Sequence, residues 1–122
     1  MAQSCINTKK GLWGETLCAK YLVRNGYKIL KRNWYCHWGE IDLITCCDAV
    51  LVFVEVKTVF YGEFCKPVEL FTTNKRRHLL KTISHFLSAN KGKINKWRLD
   101  LVCITKDNNK AWIEHYKNVL AF

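Results

Sequence analysis

Three charged residues stand out against apolar neighbours. Asp42 lies in Gly39-Glu-Ile-Asp-Leu-Ile44, and Glu55 and Lys57 end the run Val50-Leu-Val-Phe-Val-Glu-Val-Lys57. On a β-strand alternate side chains share a face, so Leu51, Phe53, Glu55 and Lys57 point one way and Val52, Val54 and Val56 the other. An acid and a base that follow apolar positions on one face are costly to bury unless they pair or bind an ion. Both runs are rich in β-branched residues, and Asp48-Ala49 between them reads as a two-residue hairpin turn. Cross-strand partners then sum to about 97 in residue number, which sets Asp42 opposite Glu55 at the roughly 5 Å Cβ spacing of facing residues. Two carboxylates so close repel unless a proton or cation lies between them, and such oxygen ligands suit Mg2+ or Mn2+. The same residues also read as an Asp-Lys-Glu salt-bridge network at a sheet edge.

The elements that must position these groups are legible from periodicity. Lys9 to Asn25 carries Trp13, Leu17, Cys18, Tyr21 and Leu22 on one helical face, and Asn25-Gly26 supplies the stop. Tyr27 to Trp34 alternates as a strand, followed by the two strands of the hairpin, Glu40 to Cys46 and Val50 to Thr58. A second helix is expected from Asn74 to Ala89, with Thr73 as N-cap and Leu79, Leu80, Ile83, Phe86 and Leu87 as its inward stripe. Strands Trp97 to Ile104 and Ala111 to His115 close the chain. The order α-β-β-β-α-β-β predicts an α/β fold, with a mixed five-stranded sheet flanked by two main helices. With a single proline, Pro67, and no Gly/Ser tract, residues 1–122 read as one domain whose first eight residues form a flexible N-terminus.

Composition narrows the partners. In 122 residues, 20 Lys+Arg oppose 10 Asp+Glu, a net charge of +10, which favours polyanions and above all nucleic acid. An anionic membrane would call for a basic amphipathic helix or a polybasic tail, and neither is evident. There is no signal segment, and the longest apolar run, Ala49 to Val54, is too short for a span. A soluble cytoplasmic protein is the expectation. Seven cysteines without a CxxC pair fit free thiols in a reducing compartment better than a disulfide framework. The four histidines are scattered and form no HExxH. At the start of the second helix, Lys75 and Arg76 lie near backbone N–H groups that favour phosphate, while Arg77, His78, Lys81 and His85 project away from the apolar stripe. Lys31-Arg-Asn-Trp-Tyr-Cys-His-Trp38 interleaves cations, Arg32 among them, with aromatics. It could clamp a backbone and stack on unpaired bases, or supply core. Asp100 either borders the site or pairs with Arg98 or Lys57.

Asp42, twelve intervening residues, then Glu55-Val-Lys57 resembles the D…E-x-K core of the restriction-endonuclease-like nucleases. Gly14-Glu15, Ala19, Tyr21-Leu22, Gly26-Tyr27, Arg32-Asn33, Gly39-Glu-Ile-Asp-Leu-Ile44 and Val52-Phe-Val-Glu-Val-Lys-Thr58 together are similar to the small bacterial YraN-like family, akin to archaeal Holliday-junction resolvases. That resemblance, spanning about Lys10 to Asn118, implies a restriction-endonuclease-like fold and a divalent-cation-dependent endonuclease. It implies action on DNA, branched or junction forms included, with homodimerisation where two strands are cut symmetrically. Asp42 and Glu55 would be metal ligands, and Lys57 would position water or offset negative charge. Glu15 would be a further acid from the first helix, its other reading being a solvated helix residue. Glu40 is a lesser candidate ligand. Ile41 replaces the proline common in the superfamily, and Val59 stands where a basic residue is often found. A binding module of the same fold with a vestigial acidic cluster is the alternative.

Overall fold

The computed structural model describes residues 9–62 and 67–121. The expected flexible segment 1–8 lies outside the described residues. The elements are α1 (Lys9–Arg24), β1 (Lys28–Cys36), β2 (Gly39–Cys47), β3 (Val50–Phe60), α2 (Thr73–Ala89), β4 (Trp97–Asp107) and β5 (Lys110–Tyr116), with short 3-10 turns at Pro67–Leu70 and Val119–Ala121. This is the α-β-β-β-α-β-β order read from the sequence. One sheet holds the strands in the order β1-β2-β3-β4-β5. All neighbours are antiparallel except the central β3–β4 pair, which is parallel and is bridged by α2. A parallel pair needs such a crossover, and its strands are buried on both faces.

The β2–β3 hairpin has the expected register, with Leu43 opposite Val54 and Cys47 opposite Val50. Asp48 and Ala49 turn it with φ of 51° and 65°, the doubly left-handed turn that matches strand twist. The faces of β3 also divide as alternation requires. Phe53 packs with Ile41, Leu99 and Leu101 under Leu79, Ile83 and Phe86 of α2. Val52 and Val54 pack with Leu43, Val102 and Ile104 under Cys18 and Leu22 of α1. Each large side chain buried there contributes roughly 1.5–3 kcal/mol.

Two expectations are corrected. The N-cap of α2 is Thr72 rather than Thr73: Thr72 is extended (φ −77°, ψ 166°), and its hydroxyl accepts from the Lys75 N–H. Asp100 does not border the acidic site. It is fully buried on the α1 side, where Arg98 Nε (2.9 Å), His115 Nε2 (2.8 Å) and the Asn118 N–H (2.9 Å) meet its carboxylate. The Tyr27 hydroxyl also donates to it at 3.3 Å. The Arg98 alternative holds and the Lys57 one does not. Five described cysteines (18, 36, 46, 47 and 103) are free.

Candidate active site

The hairpin ladder stops short of the acids. Its last pair is Leu43–Val54, and beyond it the Asp42 carboxylate accepts the Val56 N–H at 2.8 Å in place of a backbone carbonyl. The pleat changes here as well. Ile41 joins the α2-side core and Leu43 the α1-side core, although strict alternation would put them together. Across from this point Asn33 has φ 51°, a conformation that asparagine adopts more readily than most residues. The break releases Asp42 from either core and leaves it where the β2–β3 pairing ends, beside Glu55.

Glu15 reaches the same point from α1. A Cβ on Gly14 would collide with the Thr58 hydroxyl oxygen, so only glycine lets the helix lie this close to β3. That approach delivers Glu15, only 6% exposed, to Asp42. Asn33 and the charge of Arg32 both favour the ionised form of Glu15 and work against its burial. On the opposite wall Gly39 (φ 151°) brings the β1–β2 turn within 2.9 Å of Thr82 Oγ1, measured from where a Cβ would sit.

The result is a cleft of about 960 Å3 lined by Glu15, Glu40, Asp42, Glu55 and Lys57, with Lys75, His78 and Thr82 of α2 facing them. Burial pushes Asp42 well above the usual aspartate range, and the charge of Glu55 adds to it. Burial likewise raises Glu15, and it takes Glu40 to about 7 with help from Glu15 and Glu55. Lys57 Nζ lies 2.8 Å from Glu55 Oε2. Burial alone would lower the Lys57 pKa, but the charge and hydrogen bond of Glu55 and the charge of Asp42 carry it upward, so it stays an ammonium.

Donor chemistry fits a hard divalent cation. Two buried oxygens of the cleft, Glu15 Oε1 and Glu40 Oε2, have no hydrogen-bond donor. The set is oxygen-only, as Mg2+ and Mn2+ prefer. Among the described residues, no three His, Cys, Asp or Glu side chains already converge at coordination geometry. A cation held there would need side-chain rotation, with Glu55 leaving its ion pair with Lys57.

The expected phosphate-binding residues divide. Lys75 lines the cleft, while Arg77 and Lys81 line a second groove beyond Trp38. Arg76 is turned over the Phe71 ring, 5.3 Å from its centroid, and Arg32 bonds Thr16 on the α1 side at 3.2 Å. Neither lines the two depressions. Sequence reasoning put His78 on the polar face of the second helix without assigning it to the cleft, and it missed Thr82, one turn further on, and the influence of Asn33 on Glu15. It singled out Gly14 and Thr58 only as family signature, without the contact that links them.

A mixed α/β sheet carrying a cleft of four carboxylates and two lysines defines the class. The comparisons then give the family: the sequence model described as "Uncharacterised protein family UPF0102" matches residues 14–104, and the chain belongs to that family. It is 39% identical over 113 residues to a UPF0102 protein of Syntrophomonas wolfei, covering 93% of this chain and 98% of that one. UPF0102 proteins of Herpetosiphon aurantiacus (34%; 89% of this chain and 91% of that one covered) and Geobacter metallireducens (37%; 94% and 94%) are also similar to this chain. Among the described residues no helix is long and apolar enough to cross a membrane.

Proposed function

We propose that this protein is a divalent-cation-dependent phosphodiesterase acting on nucleic acid, with DNA the first substrate to test. The observation that carries the reading is the set of donor-less buried oxygens around Asp42, in a chain whose net charge is +10. Acids gathered against their own repulsion call for a cation, and the surrounding positive charge calls for a polyanion.

Asp42, Glu55 and Glu15 would hold Mg2+ or Mn2+, with Glu40 nearby. When bound, the ion supplies Lewis acidity toward the scissile phosphate and the attacking water. Lys57, charged and facing the cleft, offsets negative charge that develops on the phosphorane. Lys75 in the first turn of α2 adds its cation to the backbone N–H groups there and holds a flanking phosphate. His78 lines the same wall of the cleft and would serve a departing oxygen.

One observation favours a second reading, a nucleic-acid-binding module: Lys57 already neutralises Glu55. Incubating the wild type and Glu55→Ala with labelled single-stranded, duplex and four-way-junction DNA in Mn2+ and Mg2+ decides between the two. Cleavage by the wild type alone supports the phosphodiesterase. Salt-sensitive binding without cleavage by either protein supports the module.

A further inference from the structure

Among the described residues, the β1–β2 turn supplies the tyrosine and tryptophan surface that the cleft presents to solvent. Cys36 pairs with Gly39, so His37 and Trp38 form its tip. The close seating of Gly39 on Thr82 fixes that tip against α2. Of the two readings of this stretch, base stacking or core, Trp34 follows the second, edge-on to Phe86, whereas Tyr35 and Trp38 are 62% and 47% exposed. Both exposed rings line the acidic cleft, and Trp38 also lines the second groove, of about 480 Å3. Trp38 is thus the ridge between the two.

The second groove has the opposite charge character from the first. Arg77, Lys81, Ser84, His85 and Ser88 line it, and among the described residues no Asp or Glu does. Helix α2, from Thr73 to Ala89, contains no acidic residue at all. Lys81 Nζ lies 5.1 Å from the centre of the Trp38 ring, and His37 lies against the same ring at 4.6 Å. A cation held at an aromatic face, with hydroxyls and further cations behind it, matches a nucleotide: a base on the ring and its phosphates along the helix.

We propose that Trp38 and this groove bind a single, unpaired strand of nucleic acid that continues from the acidic cleft. Because a paired base inside a duplex has both faces covered by its neighbours, Trp38 stacks best where a base is unpaired, as at a gap, flap or fork. The inference rests on the phosphodiesterase reading for which phosphate lies in the cleft, but the groove itself is testable without cleavage. It makes the substrate class a structure with unpaired bases beside the cut.

The test is fluorescence anisotropy on the full chain in EDTA, with a labelled single strand, a forked duplex and a blunt duplex. Trp38→Ala is expected to weaken the single strand and the fork by about 5- to 100-fold, the range of one base–aromatic stack, and the blunt duplex by less than about threefold. Trp38→Phe should keep most of the affinity, and the quenching of tryptophan emission expected when single strand binds the wild type should be much reduced. Lys81→Ala should lower the salt slope by about one. Equal losses on all three substrates, or no loss on any, would overturn the proposal. Thermal melting of each variant separates a binding defect from unfolding. Because no metal is present, selective loss with Trp38→Ala upholds the groove even where the Glu55→Ala comparison shows no nuclease. Cleavage that depends on Glu55, with Trp38→Ala binding every substrate normally, upholds the nuclease and removes the groove.

Discussion

Substituting Gly14 by alanine probes how the acidic cleft is assembled. In an ordinary helix interior this change stabilises by about 0.5–1 kcal/mol, because glycine has more backbone freedom to lose. Here the new methyl would overlap the Thr58 hydroxyl and stand 3.2 Å from Thr58 Cβ. Overpacking of that kind costs about 1–3 kcal/mol. The net expectation is a destabilisation of up to about 2 kcal/mol, or a Tm lowered by up to roughly 10 °C in a domain of this size. In a Thr58→Ala background the overlapping oxygen is gone, so the same substitution should be neutral or mildly stabilising. A coupling of about 1–3 kcal/mol between the two sites follows. Urea and thermal unfolding of the wild type, both single variants and the double variant measure it. Displacement of α1 also carries Glu15 away from Asp42, so Mn2+ affinity by calorimetry should fall in Gly14→Ala and recover in part in the double variant. If Gly14→Ala stabilises equally in both backgrounds and leaves metal affinity unchanged, the account of how Glu15 is positioned is wrong.

Raised carboxyl pKa values give the cleft a definite pH signature. Glu40 moves from 4.5 to about 7 and Asp42 and Glu15 also shift upward, so the folded state holds more protons than the unfolded one between the two ranges. Metal-free stability should therefore fall by about 1–3 kcal/mol as pH rises from about 5 to about 8. Saturating Mn2+ should then raise the Tm more at pH 8 than at pH 5, as differential scanning fluorimetry would read, with about 2.7 kcal/mol gained at 100 times Kd. Asp42→Asn keeps an acceptor for the Val56 N–H but removes the charge, so it should remove much of this pH dependence and the Mn2+ shift together. Asp100 has the opposite sign. Burial would raise it, but His115, Arg98 and the Asn118 N–H outweigh burial and hold it below 3.8. Its contribution is complete above that value and fades as pH falls through the lower folded-state pKa. Asp100→Ala should cost about 3–5 kcal/mol by chemical denaturation, because Arg98 and its other donors lose their acceptor, without altering Mn2+ stoichiometry at the cleft. Ala49→Gly relieves a left-handed alanine and should stabilise by about 1 kcal/mol in the same assay.

Much of this arrangement was written in local pattern. Period-2 apolar runs and the two-residue Asp48-Ala49 turn were enough to fix the hairpin register and the facing of Glu55 and Lys57. Apolar stripes at helical spacing were enough to place both helices. Less legible were features decided by contacts across the fold. The end of the ladder at Leu43 depends on the Asp42 carboxylate capturing the Val56 N–H, an exchange that alternation cannot foresee. The partners that make Asp100 structural include Tyr27, 73 residues away. Thr72 and Thr73 are the same residue type, so only backbone conformation chooses the cap. Arg76 looks like its neighbours in sequence, yet it lies over Phe71 while Arg77 faces the second groove.

The placement of the acids on β2 and β3 also bears on the order in which the chain folds. Asp42 and Glu55 are brought together by a two-residue turn, a closure of the microsecond class, whereas the parallel β3–β4 pairing must wait for the α2 crossover. Their repulsion therefore weighs on an early, local structure rather than on the final docking. A divalent cation that relieves it should steepen the descent into the folded state, raising the refolding rate at least as much as it slows unfolding, and would act as a nucleus for the sheet as well as a guest in its cleft.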